Sequence, residues 1–165
     1  MIRYASRDDI GRISEILVFD KRITYREIFE DDEFSFNQLQ VLKVAKRLEK
    51  ANMNTIMVYD DGILKGMLSS KSMESMFCVF WELDELYVDY FFQGQGIGKS
   101  LFREFYNIAK NNNVTEIFTW IVEKNYSAIE FYKSIGFVDT FEKRLVEGTK
   151  KYEVKYKHII SYETK

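Results

Sequence analysis

Apolar residues recur along this chain with two periods. Ile10, Ile13, Ile16 and Leu17 follow the three-to-four spacing of one helix face. They stand directly behind Ser6-Arg-Asp-Asp9, a capping-box pattern, and a short strand, Ile2 to Ala5, precedes it. A second such signal, Ser35-Phe-Asn-Gln38, opens a helix through Leu39, Leu42, Ala45 and Leu48. Between the two, residues 20–34 mix Tyr25, Phe29 and Phe34 with Glu27, Glu30, Asp31, Asp32 and Glu33, and read as helix or loop. Thr55 to Tyr59 and Ile63 to Leu68 pair as a hairpin across Asp60-Asp61-Gly62, where Asp61-Gly62 suits a tight turn. An apolar strand from about Met76 to Asp89 runs into a glycine-rich loop, and a helix carrying Leu101, Phe105, Ile108 and Ala109 follows. Thr115 to Val122 is a strand, and Asn125 to Ile135 a helix stopped by Gly136. Phe137 to Val146 then pairs with Tyr152 to Ile160 across Glu147-Gly-Thr-Lys150. The order βαα-βββ-αβ-αββ predicts one α/β domain, residues 1–165, with a mixed, mostly antiparallel sheet flanked by helices.

Composition narrows the chemistry. The 165 residues include 24 Lys+Arg against 26 Asp+Glu, so the basic excess of a nucleic-acid binder is missing. One cysteine, Cys78, and one histidine, His158, exclude an internal disulfide and a Cys/His zinc site, so no metal is expected. The charged opening lacks the pattern of a secretory signal, and no apolar run reaches the length of a membrane span. A reducing cytoplasm is the expected setting. There Asn113-Val-Thr and Asn125-Tyr-Ser, which match the glycosylation pattern, carry no meaning.

The most informative segment is Leu86-Tyr-Val-Asp-Tyr-Phe-Phe-Gln-Gly-Gln-Gly-Ile-Gly-Lys-Ser100. A strand feeds a glycine turn that opens a helix, which presents backbone N–H groups and a positive helix end to an anion. A Walker A loop would place its first glycine at position 93, which is Gln93, and the dinucleotide fingerprint G-x-G-x-x-G fails on Gly94-x-Gly96-x-Gly98. The pattern present is Gln-x-x-Gly-x-Gly, at Gln93, Gly96 and Gly98.

This pattern resembles the pyrophosphate motif of the GCN5-related N-acetyltransferase (GNAT) family. The preceding Glu82-Leu-Asp-Glu-Leu-Tyr-Val-Asp89 is similar to that family's fourth strand. Asn125-Tyr-Ser-Ala128 with Phe131-Tyr132 and Gly136-Phe137 is similar to its later motif, and Ile2-Arg-Tyr-Ala with Asp8 and Asp9 to its opening. The resemblance spans nearly the whole chain in the family's order. It implies acetyl-CoA as cosubstrate, with its pyrophosphate held by Gln93, Gly94, Gln95, Gly96, Ile97, Gly98, Lys99 and Ser100. It further implies a sheet that splits to admit the pantetheine arm, which pairs with the main chain of Leu86, Tyr87 and Val88 as an added strand would. The Val88 N–H would then donate to the thioester oxygen. A homodimer is common in the family.

Asn125, Ala128 and Tyr132 share one helix face. On spacing alone they read as a helix cap and a core aromatic. The resemblance implies instead that Asn125 meets the pantetheine and that Tyr132 protonates the leaving thiolate. Attack on a thioester needs a neutral amine, hence a proton acceptor. Glu82, Asp84 and Glu85 lie in an apolar strand, an expensive place for carboxylates, with Glu82 and Asp84 on one face and Glu85 on the other. Glu82 matches in position the base of some histone-acetylating members and is the expected base, directly or through water. Solvated carboxylates at a frayed strand are the plain alternative. Cys78 reads as a buried thiol rather than an acetyl-carrying nucleophile, and His158 as an ordinary exposed or half-buried residue.

The expected activity is direct transfer of an acetyl group from acetyl-CoA to a primary amine of a small molecule or peptide. The stretch from Tyr25 to Phe36 with Trp81 and Trp120 is the expected acceptor region. Two readings compete with this one. The first is a silent acyl-CoA-binding regulatory module on the same fold. The second is a nucleotide domain whose ATP binding depends on Lys99 and magnesium.

Overall fold

The computed structural model describes residues 1–30, 39–74 and 78–162. Strand β1 (Ile2–Tyr4) leads through a single 3-10 turn, Arg7–Asp9, into α1 (Ile10–Phe29). The Asp9 carboxylate accepts from the Ser6 N–H at 2.7 Å and from its hydroxyl at 3.0 Å, as the capping pattern predicts. Arg3 joins this carboxylate to that of Asp60, with one contact of 2.7 Å to each. The guanidinium holds the Asp9 carboxyl far below the usual carboxylate range. Helix α1 outruns the periodicity that announced it, so residues 20–29 are helical, and it ends where Glu30 turns left-handed at φ 53. Helix α2 (Val41–Leu48) starts after Gln40, which makes no side-chain cap. The expected signal at Ser35–Gln38, like residues 31–34, lies outside the described residues.

The remaining elements are β2 (Ile56–Asp60), β3 (Leu64–Glu74), β4 (Val79–Val88), α3 (Ile97–Asn111), β5 (Glu116–Val122), α4 (Tyr126–Ser134), β6 (Val138–Leu145) and β7 (Tyr152–Ile159). Their order is the predicted one. Strand β3 extends well past Leu68, through Ser69-Ser70-Lys71-Ser72, where the apolar residues that announced it stop. The seven strands lie in the order β1-β2-β3-β4-β5-β7-β6. Pairing is antiparallel for β1–β2, β2–β3, β5–β7 and β6–β7 and parallel for β4–β5. The β4–β5 ladder runs from Phe80↔Glu116 to Glu82↔Phe118, while β4 itself continues to Val88.

Contacts group the chain into two compact units, residues 1–69 with 85–103 and residues 70–84 with 104–165, so that β3, β4 and α3 each run through both. In the first unit Ile10, Ile13, Ile16 and Leu17 of α1 pack with Leu48 of α2 and with Ile56, Val58, Leu64 and Met67. In the second, Trp81 lies on Phe105 with ring centroids 5.6 Å apart, and Tyr132 meets Phe137 edge-on at 5.2 Å. Gly136 holds φ +93, and a Cβ there would come within 2.8 Å of the His158 ring. Backbone and neighbour therefore both require glycine at the end of α4. Among the described residues no helix is long and apolar enough to cross a membrane.

Candidate active site

In the first unit, β4 ends in a 3-10 turn, Tyr90–Phe92, and the chain then passes through Gln93–Gly96 into α3. The Asp89 carboxylate caps that turn by accepting from the Phe91 N–H at 3.0 Å. The Gln93 side-chain amide donates to the Val88 carbonyl at 3.0 Å and ties the loop back to the strand that feeds it. Gly94 and Gly96 hold φ +75 and +80, and a Cβ at either would find no atom within 4 Å. The two glycines thus set a left-handed path beside open space at a helix N-terminus, a fit for a diphosphate. Gln93, Gly94, Gln95, Gly96 and Lys99 are exposed, Gly98 and Ser100 are half-buried, and the Ser100 N–H begins the α3 ladder on Gly96 O at 3.0 Å. Ile97 is buried by contrast, close to Gly66, so it has only its main chain to offer a ligand.

Leu86, Tyr87 and Val88 are half-buried. The Tyr87 hydroxyl lies 3.2 Å from that of Tyr25 on α1, and the Lys21 ammonium sits 5.5 Å from the Tyr87 ring centre. Glu85 is occupied: Lys21 stands at 2.5 Å and Arg47 of α2 at 3.3 Å. Burial works against its charge, but these two cations outweigh that and hold the carboxyl below its ordinary range. Glu85 is therefore a tie between β4 and the two helices.

In the second unit the neighbouring acids separate by environment. Asp84 is exposed and pairs with Lys71 at 2.7 Å. Glu82 is 7% exposed and, among the described residues, has neither an ion pair nor a hydrogen bond. Burial pushes its carboxyl up, opposed by the charges of Lys71 and Arg144. Four other carboxylates of this unit are neutralised: Glu153 by Arg144, Glu123 by Lys143, Glu142 by Lys155 at 3.4 Å and Glu116 by Lys157 at 3.4 Å. The Arg144 guanidinium also lies 4.1 Å from the Trp120 ring centre, a contact that sequence reading missed because β6 meets Trp120 only through the fold.

Asn125 is buried and is the N-cap of α4; its Oδ1 accepts from the Ala128 N–H at 3.2 Å and the Ser127 hydroxyl at 3.1 Å. The cap engages that oxygen, and the Nδ2 hydrogens are what the side chain has left for a ligand. Ala128 is half-buried, and Tyr132 is buried between Phe131 and Phe137. His158 is half-buried against Tyr106 and Phe137. Cys78 departs from expectation. It is exposed, because it stands just outside β4 rather than inside a longer strand. Met76 and Phe77 of the expected strand lie outside the described residues, and no group of His, Cys, Asp and Glu among those described is placed to hold a metal.

A strand, a left-handed glycine turn and an exposed helix N-terminus in an α/β protein form an arrangement that can hold an anionic ligand at the end of a strand. Comparison makes this specific. The family model described as an acetyltransferase (GNAT) domain matches residues 19–157, and the chain belongs to that family. A curated relative, Uncharacterized N-acetyltransferase MJ1207 of Methanocaldococcus jannaschii, is 39% identical over 67 residues, a match spanning 41% of this chain and 28% of that protein's length. Among solved structures, the PaiA N-acetyltransferase of Thermoplasma acidophilum, in complex with coenzyme A, superposes with a TM-score of 0.70 at 20% identity, covering 94% of this chain and 96% of its own. Ard1 of Thermoplasma volcanium gives 0.72 at 19% identity, with 98% of each chain covered. The YncA acetyltransferase of Salmonella typhimurium, with its cofactor acetyl-CoA, gives 0.65 at 20%, covering 100% and 96%.

Proposed function

We propose that this protein transfers the acetyl group of acetyl-CoA to a primary amine. The observation that carries the reading is the open glycine turn at Gly94 and Gly96, behind a strand and ahead of a helix, in a chain of the GNAT family. Acetyl-CoA supplies an acyl group already activated as a thioester. The loop amides from Gln93 to Ser100 hold its pyrophosphate, and the main chain of Leu86, Tyr87 and Val88 aligns the pantetheine arm. The end of the β4–β5 ladder at Glu82 supports this, since β4 continues beyond it. In the same reading the Val88 N–H donates to the thioester oxygen, where negative charge grows during transfer.

Glu82 accepts the proton that frees the amine. It is buried and unpaired while its neighbours are matched to cations, so burial raises its basicity without an ion pair to hold it ionised. The amine nitrogen bonds to the acetyl carbon as the carbon–sulfur bond breaks, and Tyr132 returns a proton to the departing sulfur. Asn125 contributes its Nδ2 to the pantetheine arm.

Calorimetric titration with acetyl-CoA, CoA and ATP is the test, followed by a thiol-release assay across a panel of primary amines. The expected result is binding of both CoA species, none of ATP, and thiol release with at least one amine. Binding of ATP alone would sink the proposal, and CoA binding without release from any amine would reduce the protein to an acyl-CoA-binding module.

A further inference from the structure

Among the described residues the β4–β5 ladder ends at Glu82, while β4 continues to Val88. On its other side β4 lies beside β3, and just past its end the Asp89 N–H donates to the Lys65 carbonyl at 2.8 Å. A strand paired along one edge gives up half of its ladder, so its side chains have to supply the rest of its fixation. Three alternate side chains do so here, each bonded to α1. Glu85 takes Lys21 at 2.5 Å, the Tyr87 hydroxyl stands 3.2 Å from that of Tyr25, and Asp89 pairs with Arg12. The Lys21 ammonium also lies 5.5 Å from the Tyr87 ring centre, and Arg12 Nε donates to the Leu64 carbonyl at 3.2 Å. Nine residues of helix rise about 13.5 Å and four of strand about 13 Å. Arg12 and Lys21 thus meet Asp89 and Glu85 at matched spacing, with α1 running antiparallel to the strand.

The Glu85, Asp89 and Lys21 side chains are only 11%, 13% and 18% exposed. Charges so far from water cost desolvation, and apolar residues of similar size would join helix to strand at least as firmly. What an apolar contact lacks is direction. It can slide along the strand, whereas directional polar pairs single out one register. We infer that Arg12, Lys21 and Tyr25 of α1 are positioning residues for acyl-CoA: by holding Asp89, Glu85 and Tyr87 they fix the register of the main chain at Leu86–Val88 for the pantetheine arm. The inference rests on the proposed alignment of that arm along β4.

The test is calorimetric titration with two probes, CoA and adenosine 3′-phosphate 5′-diphosphate, which keeps the nucleotide and diphosphate of CoA but lacks its pantetheine arm. Lys21→Met combined with Glu85→Met replaces the central pair by apolar groups of similar length, an exchange that a fold commonly tolerates. In this double variant Kd for CoA should rise about tenfold while Kd for the diphosphate probe stays within about twofold of wild type. KM for acetyl-CoA should rise with it while kcat changes little. Tyr25→Phe should shift CoA in the same direction by less, and Lys21→Arg, which keeps the pair, should bind both probes like wild type. Unchanged CoA affinity in the double variant, or an equal loss of both probes, would overturn the positioning role. If wild type binds CoA no more tightly than the diphosphate probe, the alignment of the arm itself fails and the inference falls with it.

Discussion

Three acids within four residues of β4 illustrate how environment assigns roles that residue type does not. Asp84 and Glu85 are each committed to a cation, while Glu82 is buried without one. A general base acts when deprotonated, and burial places the Glu82 carboxyl above its ordinary value, so kcat/KM should climb with pH through that raised value. Glu82→Gln should lower kcat/KM about 10²–10⁴-fold and abolish this acid limb, as read by thiol release from acetyl-CoA across pH. An unchanged profile would remove Glu82 from the mechanism. Glu85→Gln should behave in the opposite way. It strands Lys21 in a largely buried contact, at a cost of about 3 kcal/mol in urea unfolding, while the exposed Arg47 can turn to water, and the acid limb should persist. None of this was legible from the alternation of β4, which separates Glu82 and Asp84 from Glu85 but cannot name partners. Those partners come from α1, α2 and β3, far away in sequence.

At the scale of elements, the punctuation was legible and the extents were not. Ser6–Asp9, Asn125 and Gly136 each mark a boundary by a local mechanism, and each is found at that boundary. The glycine loop was legible for the same reason, because Gly94 and Gly96 are demanded by backbone conformation alone. The length of α1 was not, since aromatic and acidic residues interrupt its apolar stripe while tertiary packing holds it helical to Phe29. Asp20 was missed too, although one signal pointed to it. It lies three and four residues beyond Leu17 and Ile16, on the stripe that faces the core. Gly136 allows a test of boundary against packing. Gly136→Ala should cost about 1–2 kcal/mol for the left-handed backbone, plus the contact with the His158 ring. Adding His158→Ala should return the contact portion and leave the backbone portion, a coupling visible in a double-mutant cycle of urea unfolding. Simple additivity of the two substitutions would place the whole cost in the backbone.

For the whole molecule, a half-buried carboxylate beside α1 and a buried one on it bend stability with pH in opposite senses. Asp9, bound by Arg3, titrates below its unfolded value, so its contribution is complete above about pH 4 and fades as pH falls further. Asp20 titrates above its unfolded value, near 7 against an ordinary value of 3.8. Between those values the folded chain keeps a proton that the unfolded chain has released. Stability attributable to Asp20 therefore falls as pH rises through this window and levels off above about 7. A separation of about three pH units corresponds to about 4 kcal/mol, an upper bound for a carboxylate that can gain water by local opening. Thermal unfolding should accordingly show Tm rising from acid to about pH 4–5 and declining toward neutrality. Asp20→Asn should retain the acid limb and lose the decline, making the variant more stable than wild type above pH 7 while less distinguishable from it near pH 4. A parallel decline in both proteins would locate the titrating group elsewhere. The predicted pattern would mean that the fold tolerates on the buried face of α1 a carboxylate whose charge cost grows as pH approaches neutrality.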